Sequence, residues 1–210
     1  MPAIFVNDKD LLPSRRDFDF YPTPFEICEA GLKVLLNRFY PYFILDAGAG
    51  NGTWGKALKK LQSNNFLIGV EIRDVEKPEW YDKWVIEDFT KFNTGLEFDL
   101  VMGNPPYKLV EQFLDKSLEL VRTGGFVLFL LKLSFLESLK RYNKYFNNNL
   151  NPKEVWVSTR RVDFYRDGNY KGAGNYDAFG IFIWEKGYIG DTTLNWLDWN
   201  YDEHSKYRKA

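Results

Sequence analysis

The sequence predicts an α/β protein built on a mostly parallel, seven-stranded sheet with an antiparallel hairpin at one edge. Short apolar runs alternate with segments of helical periodicity, which is typical of strand–helix–strand units. A glycine-rich turn follows the first apolar run, as happens where a parallel strand leads into a helix. The last two apolar runs have no helix between them, so we expect these two strands to pair antiparallel.

Each element follows from a local pattern. Apolar side chains recur at helical spacing after Pro24, and Pro22 and Pro24 place the start of the first helix there. Runs rich in Val, Ile and Phe that are bounded by turn residues predict strands. The predicted helices are residues 25–39, 54–61, 108–121 and 134–146. The predicted strands are residues 42–45, 66–71, 84–86, 98–103, 126–131, 154–158 and 177–184.

Length and charge set the broad class. The chain has 210 residues, which fits one domain: an N-terminal arm at 1–20, a folded domain at 21–187 and a polar C-terminal tail at 188–210. The 28 basic and 29 acidic residues nearly balance, which excludes a strongly cationic nucleic-acid-binding protein. Any nucleic-acid contact must therefore use a local patch. Aromatic residues make up 18% of the chain, so some rings are available for stacking on a flat ligand.

Cysteine and histidine are too few for a disulfide or a zinc cluster. Cys28 is the single cysteine and His204 the single histidine, so no metal site is expected. The N-terminus shows no signal peptide, and the longest apolar stretch, 126–136, is interrupted by Lys132 and is too short to span a bilayer. We therefore expect a cytoplasmic protein without a membrane anchor.

A glycine-rich turn, residues 46–52, follows the first predicted strand. Its glycines permit left-handed backbone and a close approach to a ligand, at the edge of a parallel sheet where ligands usually bind. Thr53 stands where a dinucleotide fingerprint has its third glycine, so the turn does not fit a pyrophosphate well. A plain tight turn between strand and helix is the alternative interpretation.

Two acidic residues end the next two strands. Glu71 lies where a carboxylate accepts from ribose hydroxyls in nucleotide-type sites, and Asp88 could accept from the exocyclic amine of an adenine ring. For both residues, a solvated surface carboxylate is the alternative.

The segment Asn104-Pro105-Pro106-Tyr107 follows the fourth strand. Two prolines fix the backbone, so the side-chain oxygen of Asn104 and the carbonyl of Pro105 can converge as acceptors on an –NH₂ group. Tyr107 adds a flat face on which a base could stack. A rigid structural turn is the alternative, but the glycine turn upstream favours a site that binds an amine.

This order of motifs resembles the gamma arrangement of S-adenosylmethionine-dependent N6-adenine DNA methyltransferases: a Tyr-x-Thr-Pro element, the glycine turn, then Asn-Pro-Pro-Tyr. The resemblance covers residues 20–185 and implies a Rossmann-like methyltransferase fold, S-adenosylmethionine as cofactor and DNA as partner. The cofactor-binding residues it implies are Tyr21, Thr23, Pro24, Asp46, Gly48, Gly50, Glu71, Asp88 and Asn104. The catalytic residues it implies are Asn104, Pro105, Pro106 and Tyr107.

The implied reaction is a direct transfer of the methyl group to adenine N6, with the base flipped out of the duplex or single-stranded. Members of that family usually carry a separate target-recognition domain, for which this chain leaves little room. We therefore expect a short or degenerate target sequence, or a partner subunit or homodimer that supplies recognition.

The loop between the last two strands is the predicted nucleic-acid contact. It combines basic residues with aromatic ones, a composition suited to phosphates and bases. The predicted contact residues are Arg160, Arg161, Arg166 and Lys171, with Arg15 and Arg16 as a weaker candidate pair. A solvated hairpin is the alternative for this loop.

Other substrates also present an –NH₂ group. Enzymes that methylate a protein glutamine amide use the same Asn-Pro-Pro-Tyr segment, and adenine in RNA and N4 of cytosine pose the same chemical problem. The Tyr-Pro-Thr-Pro element at residues 21–24 and the basic loop favour nucleic acid over protein. A cofactor-binding partner without activity is a further alternative.

Overall fold

The computed structural model describes residues 22–162, 164 and 177–199. The helices are α1 (Phe25–Leu36), α2 (Thr53–Leu61), α3 (Val110–Leu120) and α4 (Leu139–Lys144). The strands are β1 (Phe43–Ala47), β2 (Phe66–Glu71), β3 (Lys83–Ile86), β4 (Phe98–Gly103), β5 (Val121–Lys132), β6 (Glu154–Ser158), β7 (Phe179–Glu185) and β8 (Thr193–Leu197). Short 3-10 helices occupy Leu133–Leu136 and Phe146–Asn148.

All eight strands form one sheet in the order β3-β2-β1-β4-β5-β7-β6-β8. Strand β7 runs antiparallel to both of its neighbours, and every other pairing is parallel. Seven strands therefore end at the same edge, which we call the carboxyl edge. The predicted fold class, α/β with a mostly parallel sheet, is confirmed.

The sheet has one strand more than the sequence predicted. Strand β8 lies in the segment interpreted as a polar tail, and it pairs parallel with β6. Only Leu197 of its five residues is buried, so its apolar pattern was too weak to indicate a strand. Strands β6 and β7 pair antiparallel as predicted, but β8 lies beyond β6, so the hairpin is not at the edge of the sheet.

The predicted helix at 134–146 is interrupted. Ser138 has an extended backbone and its side chain accepts a hydrogen bond from the Arg141 backbone N–H, which starts α4 anew after the 3-10 helix. Strand β5 also begins earlier than predicted, at Val121, directly after α3.

Helices cover both faces of the sheet. One apolar cluster joins α1 and α2 to the sheet through residues such as Leu32 and Leu58, and the other joins α3 through Phe113 and Leu114. Because both faces are covered, a polar ligand has access to the central strands only at their ends. Within the described part of the chain, no helix is long and apolar enough to cross a membrane.

Candidate active site

The glycine turn after β1 requires its glycines. Gly48, Gly50 and Gly52 have φ values of 68°, 63° and 79°, in the left-handed region that other residues rarely adopt. A Cβ atom on Gly48 would lie 3.2 Å from the Phe113 ring, and one on Gly52 would lie 2.9 Å from Pro78 and Trp80. A side chain at Gly48 or Gly52 would therefore introduce both strain and crowding.

Glu71, at the end of β2, is hydrogen-bonded to the backbone of this turn. Its side chain is buried, and its Oε2 accepts a hydrogen bond from the Gly50 N–H at 2.7 Å. Its Oε1 accepts from the backbone N and the Nε of Arg73, at 3.1 and 2.7 Å. The structure thus places Glu71 beside the turn as predicted, and it adds a role that the sequence did not indicate, which is holding the Gly50 backbone in place.

Asp46, the last carboxylate of β1, is fully buried. The Tyr81 hydroxyl donates to its Oδ2 at 2.5 Å, and its Oδ1 has no hydrogen-bond partner among the described residues. Burial raises the pKa of Asp46 to about 7, while the hydrogen bond from Tyr81 opposes that rise and the nearby Glu71 adds to it. A backbone hydrogen bond from Gly55 also opposes the rise, so the carboxyl is held from α2 as well as by Tyr81.

Asp88 begins the turn after β3. Its Oδ1 accepts from the backbone N and the hydroxyl of Thr90, at 3.0 and 2.8 Å. The neighbouring Phe89 is buried, and its ring lies 4.8 Å from that of Phe113, which in turn borders Gly48. The Asp88 segment is therefore connected to the glycine turn through two packed rings.

Asn104 stands at the carboxyl edge, directly after β4. The end of β4 lies close against β1, because a Cβ atom on Gly103 would be 2.6 Å from the Ala47 carbonyl oxygen. The Asn104 Nδ2 donates to the Thr23 hydroxyl at 3.1 Å, which leaves the Oδ1 buried and without a partner among the described residues. The contact to Thr23 thus orients the amide with its oxygen free.

The prolines lead from Asn104 into α3. Pro105 is buried and Pro106 half-buried, and the carbonyl of Pro106 accepts from the Leu109 N–H at 2.8 Å. The Tyr107 ring is half-buried, with its centroid 6.0 Å from that of Phe179. The segment therefore forms a hydrogen-bonded turn that leads into α3, with a half-buried tyrosine ring beside it.

The predicted nucleic-acid residues are only partly described. Arg160 and Arg161 are exposed and follow β6, which ends at the carboxyl edge as β4 does. The Arg160 Nε lies 3.6 Å from the Asp198 carboxylate, which the sequence did not indicate. Arg166, Lys171 and the predicted cofactor residue Tyr21 lie outside the described residues, as do Arg15 and Arg16.

Sequence reasoning missed two residues at this edge. No local pattern in the sequence indicates that the Tyr81 hydroxyl reaches Asp46. In the sequence Lys132 only interrupts an apolar run, yet its Nζ lies 4.4 Å from the centroid of the Tyr107 ring. A single charge within an otherwise apolar strand was the available signal for Lys132.

Comparison with solved structures shows the fold. A protein from Listeria monocytogenes classed as a class I S-adenosylmethionine-dependent methyltransferase aligns with a TM-score of 0.62 and 12% identity, over 84% of this chain and 65% of that chain. The N-methyltransferase NodS from Bradyrhizobium japonicum, in complex with S-adenosylhomocysteine, aligns with a TM-score of 0.54 and 14% identity, over 86% of this chain and 96% of that chain. The chain has the Rossmann-like fold of S-adenosylmethionine-dependent methyltransferases.

Curated relatives match part of the chain. The Type II methyltransferase M.CvrRI of Paramecium bursaria Chlorella virus XZ-6E is 34% identical over 101 residues, which cover 44% of this chain and 25% of that protein. The Type II methyltransferase M.TthHB8I of Thermus thermophilus is 24% identical over 128 residues, which cover 44% of this chain and 30% of that protein. The chain thus spans less than a third of these relatives' length, and no family model matches it.

Proposed function

We propose that this protein transfers a methyl group from S-adenosylmethionine to the exocyclic N6 amine of adenine in DNA. The observation that carries the proposal is the Asn104 Oδ1: a buried acceptor without a partner among the described residues, next to the glycine turn of a methyltransferase fold. An –NH₂ group that donates to this oxygen would restore the missing hydrogen bond. The resemblance to N6-adenine DNA methyltransferases and the Type II methyltransferase relatives support adenine in DNA as the source of that group.

The residues present fit the cofactor. The glycine turn at the carboxyl edge carries no side chains that would fill the space beside it, and Asp46 Oδ1 and Asn104 Oδ1 are two buried acceptors without a hydrogen-bond partner among the described residues. When bound, S-adenosylmethionine supplies an electrophilic methyl group on its sulfonium, so the protein does not need to provide an electrophile. We propose that Gly48, Gly50 and Glu71 hold its nucleoside portion and that Asp88 contacts its adenine.

The protein's own contribution is positioning and electrostatics. Asn104 accepts a hydrogen bond from the target amine and so draws electron density onto the nitrogen that attacks. The Pro105-Pro106 turn fixes that acceptor, and the Tyr107 ring stacks with the target base. Because a base inside a duplex cannot reach a crevice at the edge of the sheet, the adenine must be flipped or single-stranded.

A side-by-side transfer assay tests the proposal. Cofactor with a labelled methyl group is incubated with the protein and, separately, with duplex DNA, single-stranded DNA, RNA and a protein extract. Digestion of labelled DNA to nucleosides should yield N6-methyladenosine in its deoxy form. Label in N4-methylcytosine, in RNA or in protein, with none in DNA adenine, would contradict the proposal and identify the substrate.

Thr23 provides a finer test of the amine site. Thr23→Val removes the hydroxyl that accepts from Asn104 Nδ2, so we expect the single-turnover rate of transfer to fall about 10-fold, whereas Thr23→Ser should keep most of it. Cofactor affinity, measured by calorimetry, should change little in both variants. If affinity falls and the rate at saturating cofactor does not, Thr23 serves the cofactor and does not orient Asn104.

The arginines after β6 test the nucleic-acid surface. The double variant Arg160→Ala, Arg161→Ala should weaken DNA binding and reduce the slope of log affinity against log salt concentration by about 2, if both side chains meet phosphates. Asp198→Asn should strengthen binding, because it removes the carboxylate beside Arg160. Lys83→Ala, at an exposed position where β3 begins, is the matched control and should leave the slope unchanged. An unchanged slope in the double variant would exclude these arginines as phosphate contacts.

A further inference from the structure

The connection between β2 and β3, residues 72–82, packs against the glycine turn. Its Trp80 donates a hydrogen bond from the indole Nε1 to the Gly52 carbonyl oxygen at 2.8 Å. Gly52 is the last residue of the turn and directly precedes α2. The proposed reaction gives Trp80 no role, although its side chain contacts the backbone of the proposed cofactor site.

The turn and α2 make room for the aromatic side chains of this connection. A Cβ atom on Gly52 would lie 2.9 Å from both the Trp80 Nε1 and the Tyr81 Cε2. One on Gly55, in the first turn of α2, would lie 2.5 Å from the Tyr81 ring. Both distances are too short for a real contact between heavy atoms, so the indole can reach the Gly52 carbonyl only because residue 52 has no side chain.

Trp80 complements the contact that Glu71 makes with the same turn. Glu71 Oε2 accepts from the Gly50 N–H at 2.7 Å, so the middle of the turn is hydrogen-bonded to the end of β2. The Trp80 indole holds the turn two residues further on, at Gly52. The Gly52 N–H donates to the Ala49 carbonyl at 2.8 Å, so fixing Gly52 also fixes the shape of the turn before it.

We infer that Trp80 is a positioning residue for the cofactor, because its hydrogen bond fixes the Gly52 end of the turn and thereby raises the affinity for S-adenosylmethionine. A turn that is already held in one conformation loses less conformational freedom when a ligand binds, so preorganisation increases affinity. The inference rests on the cofactor of the proposed function and does not depend on which amine is methylated.

Trp84 offers a matched control in the same cluster. Its ring centroid lies 4.8 Å from that of Tyr81, and a Cβ atom on Gly69 would lie 2.4 Å from the Trp84 ring. Its indole Nε1 is buried and has no hydrogen-bond partner among the described residues. Trp80→Phe and Trp84→Phe therefore shorten the same kind of side chain, but only the first removes a hydrogen bond to the turn.

Calorimetric titration with S-adenosylhomocysteine compares the two variants with the unaltered protein. We expect Trp80→Phe to weaken binding about 5-fold, as for the loss of one hydrogen bond, and Trp84→Phe to leave it unchanged. In the transfer assay, Trp80→Phe should raise the KM for S-adenosylmethionine by the same factor and leave kcat unchanged.

Two kinds of failure are distinguishable in this titration. Binding by the unaltered protein with no loss in Trp80→Phe, or with an equal loss in both variants, would overturn the inference alone. No binding by the unaltered protein would contradict the proposed function and the inference together.

A second measurement needs no cofactor. Hydrogen exchange followed by NMR reports how firmly the Gly50 and Gly52 amide N–H groups are held in the turn, and melting temperatures establish that each variant is folded. Both amides should exchange about 5-fold faster in Trp80→Phe than in the unaltered protein or in Trp84→Phe. Unchanged exchange in Trp80→Phe would show that the indole does not fix the turn, and it would overturn the inference even if binding is weakened.

Discussion

Replacing Asn104 with alanine is expected to lower the rate of methyl transfer at least about 100-fold, a loss of roughly 3 kcal/mol of transition-state stabilisation. The variant removes the buried side-chain oxygen at the carboxyl edge that is proposed to accept from the amine. The affinity for S-adenosylmethionine should change much less, because the glycine turn and Glu71 remain in place. Single-turnover transfer and calorimetric titration of the cofactor measure the two quantities separately.

A matched pair of variants isolates the acceptor. Asn104→Asp keeps an acceptor oxygen in place of the amide oxygen, and its second oxygen can accept from the Thr23 hydroxyl, so it should retain more activity than Asn104→Ala. Asn151→Ala, which alters an asparagine that contacts the Gly190 carbonyl far along the chain, is the control and should leave transfer unchanged. Substantial transfer by pure Asn104→Ala would show that the amine is bound elsewhere.

The second large effect is a dependence of stability on pH that originates at Asp46. Burial raises the pKa of this carboxyl to about 7 in the folded protein, whereas in the unfolded chain it is about 3.9. Between these values the folded state keeps a proton that the unfolded state has released. The contribution of Asp46 to the free energy of unfolding is therefore greatest below about pH 4 and is lost as the pH rises to about 7.

Asp46→Asn should remove this dependence, because the amide has no charge to bury at any pH. Relative to the unaltered protein, the variant should gain on the order of 4 kcal/mol in the free energy of unfolding between pH 4 and pH 8. Urea unfolding at several pH values measures the difference. Parallel curves for the two proteins would contradict the assignment.

Tyr81→Phe tests the cause of the shift. The Tyr81 hydroxyl donates to Asp46 Oδ2 and so lowers the pKa of that carboxyl relative to burial alone. Without the hydroxyl, the loss of stability should extend to higher pH than in the unaltered protein. A transition that moves to lower pH would mean that Tyr81 does not act as the donor.

Local patterns predicted most of the fold because strands buried on both faces require continuous apolar runs, which are visible in the sequence. The runs that became β1, β2, β4 and β7 are of this kind. Strand β8 was not predicted, because four of its five residues are not buried and its place is set by pairing with β6. The break between the 3-10 helix and α4 depends on one capping side chain, Ser138, within a segment of helical periodicity.

The candidate site likewise has features that the sequence predicts and features that only the tertiary structure shows. The left-handed turn needs glycine, and a rigid acceptor turn needs proline, so Gly48, Gly50 and the Asn104-Pro105-Pro106 segment could be identified from residue type and spacing alone. Only the tertiary structure decided which atoms remain without partners. The Asn104 amide is oriented by Thr23, 81 residues away in the chain. The hydroxyl that donates to Asp46 belongs to Tyr81, 35 residues away.

The contacts of the charged side chains at the carboxyl edge also depend on the tertiary structure. The sequence determined that Lys132, Arg160 and Glu71 lie near strand ends, but not that Lys132 covers Tyr107, that Arg160 faces Asp198 or that Glu71 holds the Gly50 backbone. Each of these contacts joins segments that the strand order brings together, and strand order depends on long-range pairing. The residues of the candidate site could therefore be identified in the sequence. The orientation of their side chains and the partners of their charged groups depend on the packing of distant segments.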